Sequence, residues 1–232
     1  MKAVSQLACI VGLSAAIATP TFAYQAGDII IRAGATTVEP QENSEAIALN
    51  GSVLSLTGRT SDLAVDSNTQ LGITASYVLD QHWAVELLAA TPFRHTATAT
   101  GELAGLDIAD VKQLPPTLSA IYYFDSSSAF KPYLGAGINY TIFFDEDITH
   151  AADTALSGLG LTGADVALDD SWGIALQVGA DYAIDDNWLV NASIRWIDIN
   201  TTATINFEGG NTISSDVDLD PYVYTLAIGY KF

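Results

Sequence analysis

The 232-residue sequence offers little on which covalent catalysis could be built. Its three histidines, His82, His95 and His150, fall in a turn, at a strand end and in a loop, and no serine is spaced from any of them as a nucleophile is from its base. HExxH, GxSxG and phosphate-loop patterns are absent. The glycines of "GAGIN" (135–139) have no helix after them, so a phosphate cradle fails. The single cysteine, Cys9, sits in an apolar N-terminal run, which leaves the rest of the chain without a thiol for disulfides, metal ligation or nucleophilic attack. No catalytic residue, metal or cofactor is expected. What remains is the chemistry of a conduit or a plug: Glu86, Asp181 and Arg195 are charges set within otherwise uncharged alternating segments, Leu88 is apolar on a polar row, and Pro92, Pro115 and Pro116 interrupt two of those segments.

The elements that must position these residues follow a period of two. Leu71, Ile73, Ala75, Tyr77 and Leu79 share one face with Gly72, Thr74 and Ser76 opposite; Trp83, Val85, Leu87 and Ala89 oppose Ala84, Glu86, Leu88 and Ala90. The same alternation recurs over 118–124, 134–144, 172–182 and 188–196 and, with "GDIIIRAGA" at the start and "DPYVYTLAIGYKF" at the end, predicts eight strands. The links 80–82, 126–130 and 185–187 are tight, whereas 38–66, 98–111, 147–169 and 208–216 are long, polar and Gly-rich. Short and long connections therefore lie at opposite ends of one up-and-down sheet, the pattern of an all-β, eight-stranded antiparallel transmembrane β-barrel with short periplasmic turns and long extracellular loops.

Composition fits that reading. Hydrophobic residues make up 49% and charged ones 15%, yet the apolar residues are distributed along the chain. Acidic residues outnumber basic ones 27 to 8, which excludes nucleic acid as a partner, because phosphates demand a basic surface. The carboxylates cluster in "DEDITHAAD", "ADVALDD" and "SSDVDLD", expected to be solvated loops. Lys2, the run "LACIVGLSAAIA" and the small residues ending at Ala23 read as a cleaved signal peptide over 1–23, leaving 24–232 as the barrel.

A soluble eight-stranded calycin-like barrel would invert the faces. The aromatics Tyr77, Trp83, Tyr122, Phe124, Trp172, Tyr182, Trp188 and Tyr222 lie near strand ends on the apolar face, where interfacial girdles belong, and the opposite row of Gly, Ser, Thr and Asn suits a lumen. Strand eight then pairs with strand one and leaves no edge. Its alternation ending in Tyr230 and Phe232 resembles the signal by which the barrel assembly machinery recognises outer-membrane proteins.

Eight strands enclose too little space for a water-filled channel. The three prolines each lack an N–H, and all fall near the extracellular end of adjacent strands three and four. They either open a lateral gap there or end the two strands above the membrane. Leu88 faces inward and is either an apolar constriction or ordinary packing. Arg195 faces inward too and can pair with Glu86 or Asp181.

The stretches "NTQLGITASYVLDQHWAVELLAATPFRH", "LPPTLSAIYYF", "FKPYLGAGINYTIFF", "DSWGIALQVGADYAIDDNWLVNASIRWIDINT" and "DPYVYTLAIGYKF" closely resemble the OmpW family of outer-membrane proteins. The resemblance implies a narrow hydrophobic lumen that passes small apolar solutes, with lateral exit through the wall as in alkane-uptake relatives, and a floor closed by apolar inward residues. Leu88 fits that floor; Arg195, where an apolar residue would suit it better, departs from it. Expected partners are outer-membrane lipid and lipopolysaccharide, small hydrophobic solutes and the assembly machinery. The rival readings are a structural or receptor barrel with a plugged lumen and interacting loops, and a lipid-modifying enzyme using His95.

Overall fold

Alternation of side chains builds the wall. In β3 (Trp83–Ala90), exposed Trp83, Val85 and Leu87 alternate with buried Ala84, Glu86 and Leu88. The computed structural model describes residues 24–53 and 60–232; the leader expected at 1–23 lies outside them. The other wall strands are β1 (Ile29–Glu39), β2 (Asn68–Val78), β4 (Thr117–Tyr123), β5 (Phe130–Ile148), β6 (Ser171–Ala183), β7 (Trp188–Ile197) and β8 (Tyr222–Lys231). Each pairs antiparallel with its chain neighbours, and β8 pairs with β1 from Ile30↔Lys231 to Glu39↔Tyr222, closing an eight-stranded barrel. Gly34 sits at this seam, where an added Cβ would lie 2.1 Å from the Leu226 carbonyl oxygen. Only glycine lets the two backbones approach so closely.

The outer face is apolar and bare: Leu226, Ile228, Ile174 and Val178 are more than half exposed. Aromatic rings mark both rims, with Trp83, Tyr122 and Phe124 in successive edge-to-face contacts below and Tyr140 stacked on Trp172 above, their centroids 4.5 Å apart. From Tyr182 to Trp172 in β6, about 3.3 Å per residue at a tilt near ~40° gives a band about 25 Å tall, the height expected of an outer-membrane wall.

Above the upper girdle the wall continues as ordered structure, which corrects the reading of the long connections as solvated loops. The end of β5 pairs with the strand Asp107–Leu114, which pairs with Phe93–Ala99, which pairs with Leu63–Val65. Opposite them, Asn200–Asn206 and Thr212–Asp218 form a hairpin, extended by Asp165–Leu168 on one side and by Ala48–Leu49 with Ser52–Val53 on the other. A helix, α1 (His150–Gly158), crosses this cap; its N-terminus is held by Thr149, whose hydroxyl accepts from Ala152 N at 3.1 Å. The acidic run "SSDVDLD" is a strand because its carboxylates also alternate: Val217 and Leu219 are buried while Asp216 and Asp218 face water.

Candidate functional site

The chemistry of the lumen changes with height. Near mid-wall, inward residues of β1, β2, β3, β6 and β7 make one ion-paired network. Arg32 donates from Nε and Nη2 to the two Asp181 oxygens at 3.0 and 2.6 Å and from Nη1 to Glu86 Oε2 at 3.0 Å. Its remaining donors reach Ser76 Oγ at 2.7 Å and the Tyr123 hydroxyl at 2.9 Å. Arg195 donates from Nη2 to Glu86 Oε1 at 3.0 Å and to Gln177 Oε1. Tyr24 and Asn191 donate to Asp181 at 2.6 and 2.8 Å. Two guanidinium groups face two carboxylates, so the plug is neutral, and none of the four is more than 3% exposed. Removal of such charges from water is tolerable only because each is paired and hydrogen-bonded. Below it, Ile30, Val78, Ala84, Ile121 and Leu189 pack a dry periplasmic end.

Above the plug the inward rows carry a polar layer, with Thr36, Thr74, Thr117, Asn139 and Thr141 buried and Asn139 hydrogen-bonded to Thr117 and Thr141, and only beyond it does the lumen become apolar. A cavity of about 180 Å³ is lined by Val38 and Phe143 from the wall, Leu63, Val111, Ile205 and Val217 from the cap, and by Leu156 and Leu159 at the C-terminal end of α1. Its few polar residues include His95, Gln113, Thr201 and Ser215. His95 Nδ1 is 2.7 Å from the Asp66 carbonyl oxygen, and burial holds its pKa below the ordinary histidine value. The hydrogen-bond partners of the His95 ring are the Asp66 backbone carbonyl and the Gln113 amide, neither of them a hydroxyl or thiol that the ring could activate.

The prolines do not end their strands; they interrupt them. β3 and β4 pair up to Leu88↔Thr117, and pairing between the same two stretches of chain resumes only at Phe93↔Gln113. Between those rungs lie residues 89–92 on one side and 114–116 on the other, with Pro92 exposed, Pro116 half-buried and Pro115 turned inward. The Pro116 carbonyl instead accepts from Tyr140 N at 3.1 Å, which sets the break at the level of the upper aromatic girdle.

Among the expected site residues, Glu86 and Arg195 meet in the plug. Leu88 is buried two positions beyond Glu86, paired with Thr74 and Thr117, and does not line the cavity. Ionic side chains close the lumen below the cavity, where the inward rows carry Arg32, Glu86, Asp181 and Arg195. Tyr230 lies on the lipid-facing wall against Trp188, with ring centroids 5.0 Å apart, and next to Phe232 at 4.7 Å. Sequence reasoning missed Arg32, Tyr24 and Gln113. Arg32 is in phase with buried Ile30, but in "IIIRAGA" both faces begin with isoleucine, so parity there does not show which face is inward.

Comparisons with known proteins agree with this architecture. The model of the OmpW family matches residues 25–232. Outer membrane protein W of Vibrio cholerae is 45% identical over 229 residues, 97% of either chain. The dibenzothiophene metabolism operon protein PahQ of Pseudomonas aeruginosa is 27% identical over 224 residues, again 97% of either chain. The crystal structure of the outer membrane protein OprG from Pseudomonas aeruginosa superposes with a TM-score of 0.80 at 44% identity, covering 91% of this chain and 98% of that one.

Proposed function

The chain belongs to the OmpW family of outer-membrane barrels of Gram-negative bacteria, and from that premise we propose that it takes up small hydrophobic molecules passively, through the extracellular cavity and out sideways through the wall. One observation carries the reading: an apolar cavity of about 180 Å³ lies above a lumen closed by paired charges, beside an interruption of the β3–β4 ladder. An apolar solute gains by leaving water for the cavity. It gains nothing by entering the plug, where it would displace paired charges without replacing their bonds. Its favourable exit lies at the girdle, where Pro92, Pro115 and Pro116 supply no N–H to the ladder and lipid begins. PahQ, whose operon is named for dibenzothiophene, a fused apolar aromatic, supports a solute of this class.

The continuous ionic network also favours a second reading, a structural or receptor barrel with nothing passing through it. Proteoliposomes with lipopolysaccharide in the outer leaflet, the natural barrier to apolar solutes, separate the two. Naphthalene uptake should be saturable, exceed that of protein-free liposomes several-fold, and collapse when Ala203→Phe fills the cavity. Uptake equal to the protein-free control leaves only the structural reading.

A further inference from the structure

The geometry points to a hydrogen-bond acceptor built into the cavity wall, the Gln113 amide oxygen, which selects apolar solutes that carry one hydroxyl donor, with a monocyclic phenol as the chemical class. This rests on the reading of the cavity as a solute site and names what the site prefers.

Gln113 faces inward from Asp107–Leu114 and is only 2% exposed, with Phe93 and Phe143 as its cross-strand neighbours. Its orientation is fixed by His95. The His95 Nδ1 contact with the Asp66 carbonyl oxygen requires a proton on Nδ1, because a carbonyl only accepts. Burial keeps the ring neutral near pH 7, so it has one proton and its Nε2 is bare. The Gln113 atom 2.9 Å from Nε2 is therefore its NH₂. That leaves Gln113 Oε1, a buried carbonyl oxygen with no partner, in a side chain that lines the cavity.

A buried acceptor without a donor is costly, and native proteins retain few of them. Other polar groups of the cavity are already engaged: Thr201 and Ser215 each donate to a backbone carbonyl at 2.7 Å. Everything else about the cavity favours apolar surface, so the solute that satisfies Oε1 has a hydrocarbon body and a single donor. The last torsion of a glutamine is soft, so a small turn that keeps the bond to His95 Nε2 can bring the buried oxygen toward an incoming hydroxyl. A dry cavity of roughly 150 Å³ accepts benzene, so about 180 Å³ has room for at least one ring with a small substituent. Gln113 also stands next to Leu114 and the two prolines, so a phenol held there waits at the interruption in the wall.

Calorimetric titration of the full barrel in nanodiscs with p-cresol and p-xylene, corrected for partition into empty nanodiscs, tests the assignment. The two molecules share a shape and differ by a hydroxyl in place of a methyl. The protein should bind cresol about tenfold more tightly than xylene, and Gln113→Leu should abolish that preference while retaining xylene affinity. Equal affinity of the wild-type protein for both overturns the acceptor role and leaves the cavity as a solute site. Binding of neither overturns that underlying reading as well. The wild-type comparison decides the matter even if the variant fails to insert.

Discussion

The plug and the cavity are made from inward rows of one continuous wall, yet they solve opposite problems. At mid-wall, Arg32, Glu86, Asp181 and Arg195 fill the lumen with charge that is stable only as a set. At the extracellular end, Val38 and Phe143 of the wall and Val111, Ile205 and Val217 of the cap line a cavity and leave a single amide oxygen, Gln113 Oε1, wanting a partner among the described lining residues. The difference teaches where passage is possible. Ions and water meet a plug of paired charges in which, among the buried groups described, Arg195 Nε is left without a partner, whereas the cavity above is lined by apolar side chains. On the function proposed above, specificity by polarity would come from the closed axial route, and lateral exit would use the interrupted ladder between β3 and β4.

The largest effect should follow from breaking the plug. Arg32→Leu strands Asp181 and Glu86 without their shared partner and should destabilise the barrel by about 3–5 kcal/mol, read as a lower urea midpoint of tryptophan fluorescence in lipid vesicles. Replacing all four charges together, Arg32→Met, Glu86→Leu, Asp181→Leu and Arg195→Met, should recover most of that loss, since no charge is then left unpaired. Disturbing the cavity should do the reverse: Ala203→Phe should cost only about 1–3 kcal/mol of stability while uptake falls to background. Smaller still, Thr149→Ala removes the cap of α1 and should cost about 1 kcal/mol, seen as faster hydrogen exchange in residues 150–158 with the wall unaffected.

The smallest effect is one of pH. Burial depresses the His95 pKa in the folded cap, so the unfolded segment takes up its proton first. Stability from this residue is therefore complete above the ordinary histidine value and declines as pH falls below it. Protection factors around 93–99, with the intrinsic base-catalysed exchange rate at each pH divided out, should fall on moving from about pH 8 to about pH 5, a range that spans the unperturbed histidine pKa of about 6.5.

Much of this was legible in the sequence, and the limits are physical. Alternation in segments such as "WAVELLAA" fixed both the barrel and which side of Glu86 and Leu88 faces inward, because a membrane wall makes the two faces differ so sharply. The pairing of Arg195 with Glu86 was one of the two partners that parity allowed. Arg32 was hidden because three consecutive isoleucines erase the alternation around it. The extracellular sheets were missed because their outward positions are Asp, Thr and Ser, which read as loop when the buried partners, such as Val217 and Leu219, are not counted separately. Gln113 could not be read at all: its importance comes from a bond to His95, 18 residues away, that leaves its oxygen alone.

The most direct test of lateral passage is naphthalene uptake by proteoliposomes of the wild-type barrel beside a Pro92→Ala, Pro115→Ala, Pro116→Ala variant, with correct folding of both verified by the mobility of the unheated protein. Restored N–H donors should let the ladder zip across 89–92 and 114–116, and uptake should fall several-fold while the cavity still binds solute. Uptake unchanged by closing the ladder would contradict an exit between β3 and β4.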